Sequence, residues 1–168
     1  MSSEQASTRL PVIDVEPVLA GSSGAIEATA EQLREALENV GFLSIVGHGI
    51  DWQTIREMYD WTASYHELVD EAKFGHEMTS TLMGYVGLGG AQRGDRPFAL
   101  NAAFFMGRPG SKRNQFPAEE ALPGFRNAAE NYYRTLERLC HQLLPLYAVA
   151  ADMPPAFFET FFDPALAT

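Results

Sequence analysis

The chain is poor in cysteine, poor in positive charge and without a long apolar run, and each scarcity excludes a class of protein. Cys140 is the single cysteine among 168 residues. One thiol makes neither an intrachain disulfide nor a cysteine-based zinc site, and the missing disulfide framework makes a reducing compartment, the cytoplasm, the expected location. Cys140 lies in an apolar helical stretch and reads as a small core residue rather than a nucleophile. Lys and Arg number 12 against 22 Asp and Glu, a net charge of -10. The densest basic run, Arg108 to Arg113, reads as a solvated loop. Neither nucleic acid nor an acidic membrane surface is therefore an expected partner. The longest apolar run, Leu143 to Ala151, is interrupted by Pro145 and is far shorter than a membrane span. Residues 1–9 are polar, carry no apolar signal core, and are expected to be a disordered tail.

What the chain does have is material for a core: 11 Phe, 6 Tyr and 2 Trp. Intrinsic disorder of the whole is excluded by that much apolar surface. Val12 to Val15 reads as a strand. Ile26, Ala30, Leu33, Leu37 and Val40 repeat at helical spacing, with Ser22 or Ser23 to cap the start and Gly41 to end it. Phe42 to Val46 reads as a second strand closed by Gly47-His48-Gly49. Asp51 is placed to cap a helix with Ile55, Tyr59, Thr62 and His66 inward, and 70–83 is ambiguous. Tyr85–Leu88 and Ala102–Gly107 are expected to form a loose hairpin. A helix is expected from Gly124 to Ala151, with Phe125, Ala129, Tyr132, Leu136, Leu139, Leu143, Leu146 and Ala150 inward and Pro145 inside it. Pro154-Pro155 is expected to open a last short helix bearing Phe157, Phe158, Phe161 and Phe162. The class is α+β, with helices packed on a small mixed sheet and hairpin. So few strands leave much of the sheet as edge, and edges need covering.

The local chemistry is thin. No His among His48, His66, His76 and His141 is followed two residues later by Asp or Glu, as a two-histidine, one-carboxylate iron site requires. No helical zinc motif is present, so the four read as structural or surface residues. Gly84, Gly87, Gly89 and Gly90 match neither nucleotide-loop pattern. No nucleophile elbow occurs. Glu119-Glu120 sits where carboxylates favour the start of a helix rather than catalysis. Catalytic, cofactor-binding and metal-binding residues are all expected to be absent from this chain.

The ordered series of short segments carries more. Leu10-Pro11-Val12-Ile13-Asp14 is followed by Gly41 to Ile50, reading GFLSIVGHGI. Then come Tyr65-His66-Glu67-Leu68, Glu71-Ala72-Lys73, Gly84-Tyr85 and Asp95-Arg96-Pro97. Ala103 to Gly107, Asn114-Gln115-Phe116-Pro117, Pro123-Gly124-Phe125-Arg126 and Met153 to Phe158 complete it. In this order the segments resemble the N-terminal region of the non-haem Fe(II), 2-oxoglutarate-dependent dioxygenases of the isopenicillin N synthase type. The resemblance runs from about residue 10 to 165. Phe105-Met106 stands where that family often has Phe-Asp, and Phe116 where it commonly has Trp.

The resemblance implies that residues 10–168 are an oxygenase N-terminal domain, the flank of a double-stranded β-helix core not contained in them. It implies Fe(II) and 2-oxoglutarate in the complete enzyme, held by His-x-Asp, a distal His and Arg-x-Ser in that core; none of these patterns occurs here. The reaction implied is oxidation of a small organic substrate, and the partner implied is the β-helix domain, in cis or in trans. The role implied for this chain is structural and pocket-forming, with Tyr85, Phe98, Asn101 and Phe104 as candidates for lining a substrate pocket. The alternative is a stand-alone binding or assembly module that pairs its sheet edge with a partner protein.

Overall fold

The computed structural model describes residues 9–74, 78, 82–87, 92–93, 96–97 and 101–162; of the expected tail, 1–8 lie outside them. The elements are β1 (Val12–Asp14), α1 (Glu16–Leu19), α2 (Ala25–Asn39), β2 (Ser44–Val46), α3 (Trp52–Glu67), α4 (Asp70–Phe74), β3 (Gly84–Val86), β4 (Gln92–Arg93), β5 (Arg96–Pro97), β6 (Ala103–Phe105) and α5 (Phe125–Ala150). The α+β class is as expected. The described strands, however, do not join into one mixed sheet. They form three pairs: β1 with β2 in parallel, and β3 with β6 and β4 with β5 antiparallel. The chain divides into two compact units, residues 1–50 with 137–168, and residues 51–136.

In the first unit the parallel pair dictates the layout. Parallel strands cannot be joined by a tight turn, and α1 and α2 supply the crossover. Val12, Ile13 and Asp14 stand opposite Ser44, Ile45 and Val46. The ladder extends past both strand ends, where Ser44 N–H donates to the Pro11 carbonyl at 2.8 Å and Val15 N–H to that of Val46 at 3.0 Å. Strand alternation then sends Ile13 and Val15 inward and leaves Val12 60% and Val46 46% exposed. The core joins Ile13 and Val15 to Ala30, Leu33 and Ala36 of α2 and to Leu139, Leu143 and Leu146 of α5. The two alanines keep the facing side of α2 thin. The 4–3 spacing of the α5 leucines makes one helical stripe.

The turn after β2 has a steric cause. Gly47 has a φ of +68°, and a Cβ there would strike the Asp14 carboxylate and stand 2.7 Å from Glu16 Cβ and 2.9 Å from Glu16 N. The Asp14 Oδ1 is already engaged, accepting from Glu16 N–H at 2.9 Å. At the next residue, His48 Nδ1 accepts from Ile50 N–H at 3.1 Å, so this histidine closes a turn. Gly49 shares the left-handed backbone, with φ +71°, but faces open space. Past the end of α5, Arg34 grips Asp152 with both terminal guanidinium nitrogens, Nη1 at 3.0 Å and Nη2 at 2.5 Å, and Nη2 also reaches the Val149 carbonyl at 3.4 Å. Asp152 is left-handed, with φ +58°, so the grip holds the residue that ends α5. The Asp152 hydrogen bond, against some desolvation, raises the Arg34 pKa.

Several expected details are corrected. β1 stops at Asp14, because Val15 already caps α1; β2 starts at Ser44, leaving Phe42 75% exposed. α2 is preceded by Gly24, with no serine side-chain cap, and its buried residues are Thr29, Ala30, Leu33 and Ala36. Leu37 and Val40, expected inward, are exposed, because the crossover rests on the side that carries the small residues. On α5 Leu136 is exposed, and Cys140 is exposed too, beside but not on the Leu139–Leu143 stripe. α5 runs through Pro145, as expected. Residues 154–162 make successive turns rather than a helix. Their bonds run three residues back, from Phe157 to Pro154, Glu159 to Ala156 and Phe161 to Phe158.

Leu33→Ala is expected to cost about 3 kcal/mol, as for other fully buried leucines, read as a lowered urea midpoint. Gly47→Ala is expected to lower that midpoint more than Gly49→Ala, which adds only the left-handed penalty of about 1 kcal/mol. Equal losses for the two glycines would contradict the steric account.

Candidate functional site

The second unit is built on α3. The Asp51 carboxylate accepts from Gln53 N–H at 3.3 Å and caps the helix, as expected. The inner face differs from the expected one. Met58, Trp61, Tyr65 and Leu68 repeat at 3–4–3 spacing and pack inward, while Tyr59 is 72% exposed and Thr62 is exposed. Two apolar stripes one step apart compete on this helix, and the one with the larger rings is buried. At its C-terminal end the buried Lys73 of α4 donates to the His66 carbonyl at 3.1 Å, pairs with Asp70 at 3.3 Å, and lies 5.7 Å from the centre of the Tyr85 ring. The acidic-x-Lys segment thus ties α4 to the end of α3 and to β3.

Around Tyr65 stands an aromatic cluster. Its ring stacks on Phe125 (centroids 5.3 Å, planes 21° apart) and touches Phe104 at 4.9 Å and Tyr85 at 5.9 Å. Phe116 closes the group at 5.5 Å from Phe104 and 6.1 Å from Phe125. Tyr65, Tyr85 and Phe125 are 1%, 7% and 2% exposed. Burial first, and the neighbouring Tyr85 second, push the Tyr65 phenol well above its ordinary range.

The expected pocket-lining residues are distributed as follows. Tyr85 and Phe104 face each other in the β3–β6 register and enter the cluster together. Phe105, the next residue along, points to the opposite face and is 46% exposed. Asn101 is exposed before β6. Phe98 lies outside the described residues. Tyr65, which organises the group, was not singled out by sequence reasoning as a site residue; its signal was the Met58–Trp61–Tyr65–Leu68 spacing. Two further residues, Asn114 and Gln115, bond to the two sides of the hairpin at its open end. Asn114 Oδ1 accepts from Gly107 N–H at 2.7 Å, and Gln115 Nε2 donates to the Met83 carbonyl at 3.0 Å. Glu119 accepts from Gly124 N–H at 2.8 Å just before α5, the role its position suggested.

Among the described residues, no group of three or more His, Cys, Asp or Glu is placed to hold a metal ion. His48 closes a backbone turn, and the His66 ring lies against Tyr65 and Tyr85. His76 lies outside the described residues. The side chains of the described residues do not fit an iron centre, and no chemical step through iron or 2-oxoglutarate follows from them. Among the described residues, no helix is long and apolar enough to cross a membrane.

A phenol whose pKa is raised by folding contributes stability that is fully present below its unfolded value near 10 and is lost as pH climbs toward its folded value. The urea midpoint of the wild type is therefore expected to fall between about pH 10 and 12 more steeply than that of Tyr65→Phe. Parallel slopes would show that the Tyr65 phenol is not desolvated by the cluster.

Comparison with known proteins places this architecture. Residues 10–124 match the family model described as the N-terminal region of non-haem dioxygenases in morphine synthesis. The isopenicillin N synthase of Streptomyces microflavus is 30% identical over 170 residues, covering 91% of this chain and 50% of that protein. A 2-oxoglutarate-dependent dioxygenase of Monascus ruber is 27% identical over 186 residues, covering 97% of this chain and 55% of its own length. The chain thus spans about half the length of the curated relatives it matches. The fold is shared with a Neurospora crassa protein solved in apo form as a C-terminally truncated chain: TM-score 0.79 at 21% identity, covering 97% of this chain and 63% of that one. The full-length form of that Neurospora crassa protein has also been solved with alpha-KG and thymine. The chain belongs to the N-terminal-region family of the non-haem Fe(II), 2-oxoglutarate-dependent dioxygenases of the isopenicillin N synthase-like type.

Proposed function

We propose that this chain is the structural, pocket-forming N-terminal domain, residues 10–168, of a cytoplasmic oxygenase that oxidises a small organic molecule. The reaction consumes O₂ and 2-oxoglutarate and releases succinate and CO₂, with Fe(II) and 2-oxoglutarate held by a separate β-helix domain. The observation that carries this reading is the open side of β1–β2. Parallel sheets are ordinarily covered on both faces. Here one face packs on α2 and α5, while Val12 and Val46 remain 60% and 46% exposed. Phe42, two residues before β2, is 75% exposed. A covering domain joined to this side removes that apolar surface and the free strand edges together.

The β3–β6 hairpin then serves as a wall of the substrate pocket. Tyr85 and Phe104 shape it through the aromatic cluster, and Asn101 supplies an exposed amide; Phe98 belongs to the same proposed lining. The open edge of the pair equally suits an assembly module that captures a β-helix partner encoded separately.

Calorimetric titration of Fe(II) and 2-oxoglutarate into the chain alone is expected to show no stoichiometric binding. The same titration with the β-helix domain joined in cis is expected to show one iron per chain. Micromolar, stoichiometric iron binding by the chain alone would overturn the division of labour. Binding restored by a β-helix domain added in trans would favour the assembly reading.

A further inference from the structure

The open end of the β3–β6 hairpin is closed by side chains. The backbone ladder pairs Gly84 with Phe105, Tyr85 with Phe104 and Val86 with Ala103. Continuing the register outward brings Met83 and then Leu82 opposite Met106 and Gly107, beyond the last pair of the ladder. In their place stand two consecutive amides. Asn114 Oδ1 accepts from Gly107 N–H at 2.7 Å, while its Nδ2 donates to the Gly107 carbonyl at 3.3 Å and to that of Arg108 at 3.0 Å. One primary amide thus satisfies both backbone groups of Gly107, in the two-bond ring of a hydrogen-bonded antiparallel pair. The next amide, Gln115 Nε2, reaches the opposite strand at the Met83 carbonyl, 3.0 Å away.

The surroundings hold both amides in place. A Cβ at Gly107 would stand 3.4 Å from Met83 Cε and 3.5 Å from Asn114 Oδ1, ordinary contact distances, so the thioether and the amide both pack close to this residue. The following residue, Phe116, is inserted against Phe104 and Phe125, and the Arg126 guanidinium lies 5.3 Å from its ring centre. Pro117 is buried after it. The aromatic anchor fixes the loop, and the loop presents its two amides to the two strands.

We propose that Asn114 and Gln115 are positioning residues: a side-chain clasp that supplies the missing rungs of the hairpin and so sets where Tyr85 and Phe104 stand. The consequence for substrate choice rests on the reading of this hairpin as a pocket wall; the clasp itself does not. A clasp of this kind acts through hydrogen-bond donors and acceptors at fixed atoms, not through the volume of the side chains.

Residue-resolved amide exchange on the full chain tests it. Asn114→Leu keeps the volume and removes all three bonds; it is expected to speed exchange at Gly107 at least tenfold and to loosen the amides of β3 and β6. Asn114→Asp keeps the acceptor for Gly107 N–H and is expected to restore most of the Gly107 protection, though not the two bonds to carbonyls. Gln115→Met removes one donor and is expected to loosen β3. Amides of β1, β2 and α2 are expected to be unchanged in all three variants. Unchanged Gly107 exchange in Asn114→Leu, equal losses in Asn114→Leu and Asn114→Asp, or losses spread evenly over both units would each overturn the clasp. Because exchange reports neither turnover nor ligand binding, failure of the clasp leaves the pocket reading untouched, and failure of the pocket reading leaves the clasp.

Discussion

A two-stranded parallel pair cannot stand alone, and that constraint organises the first unit of this chain. Pairing Val12–Asp14 with Ser44–Val46 in parallel demands a crossover, and α2 fills it. The crossover must lie close over Ile13 and Ile45, and Ala30 and Ala36 on the facing side of α2 keep it thin. Gly47 must lack a side chain because β2 leaves the pair directly past the Asp14 carboxylate and the start of α1. The same constraint leaves the opposite face unfinished. Val12 and Val46 project from it because Ile13 and Val15 project inward.

The second unit solves a different problem. Its only described strands are two short antiparallel pairs, each too small to be stable by itself. Rings hold the hairpin in place together with side-chain hydrogen bonds. Tyr65 from α3, Tyr85 from β3, Phe104 from β6, Phe116 from a loop and Phe125 from α5 come from five separate segments and meet in one cluster. Edge-on and tilted ring contacts contribute beyond the area they bury. The segment Asn114 to Pro117 serves both purposes, with amides for the strands and a ring for the core.

Much of this was legible in the sequence. The strand cores at Val12–Asp14 and Ser44–Val46, the Asp51 cap and the 4–3 leucine stripe of α5 follow from local rules that tertiary packing left in force. Other features depend on distant atoms. Spacing alone could not choose between the Ile55–Tyr59 and Met58–Trp61–Tyr65 stripes of α3, because the choice is made by rings about 20 to 60 residues away in sequence. Leu37 and Leu136 fit a periodic pattern yet lie outside the packed side of their helices. The segment after Pro154-Pro155 has the spacing of a helix but closes only successive three-residue turns. The ordered series of weak motifs pointed to the family. What those motifs do became visible only in three dimensions: Gly47 clears β1, Lys73 ties α4 to α3, and Asn114 with Gln115 holds the hairpin.

The central claim is that the open side of β1–β2 is a seat for a catalytic domain. Thiol labelling measures it most directly. With Cys140 replaced by serine, Val46→Cys places one reporter thiol on that side. The labelling rate is compared between the chain alone and the chain with its β-helix domain joined in cis. The account predicts fast labelling in the first and at least tenfold protection in the second. Equal rates would contradict it, because the surface would then be exposed with the catalytic domain in place.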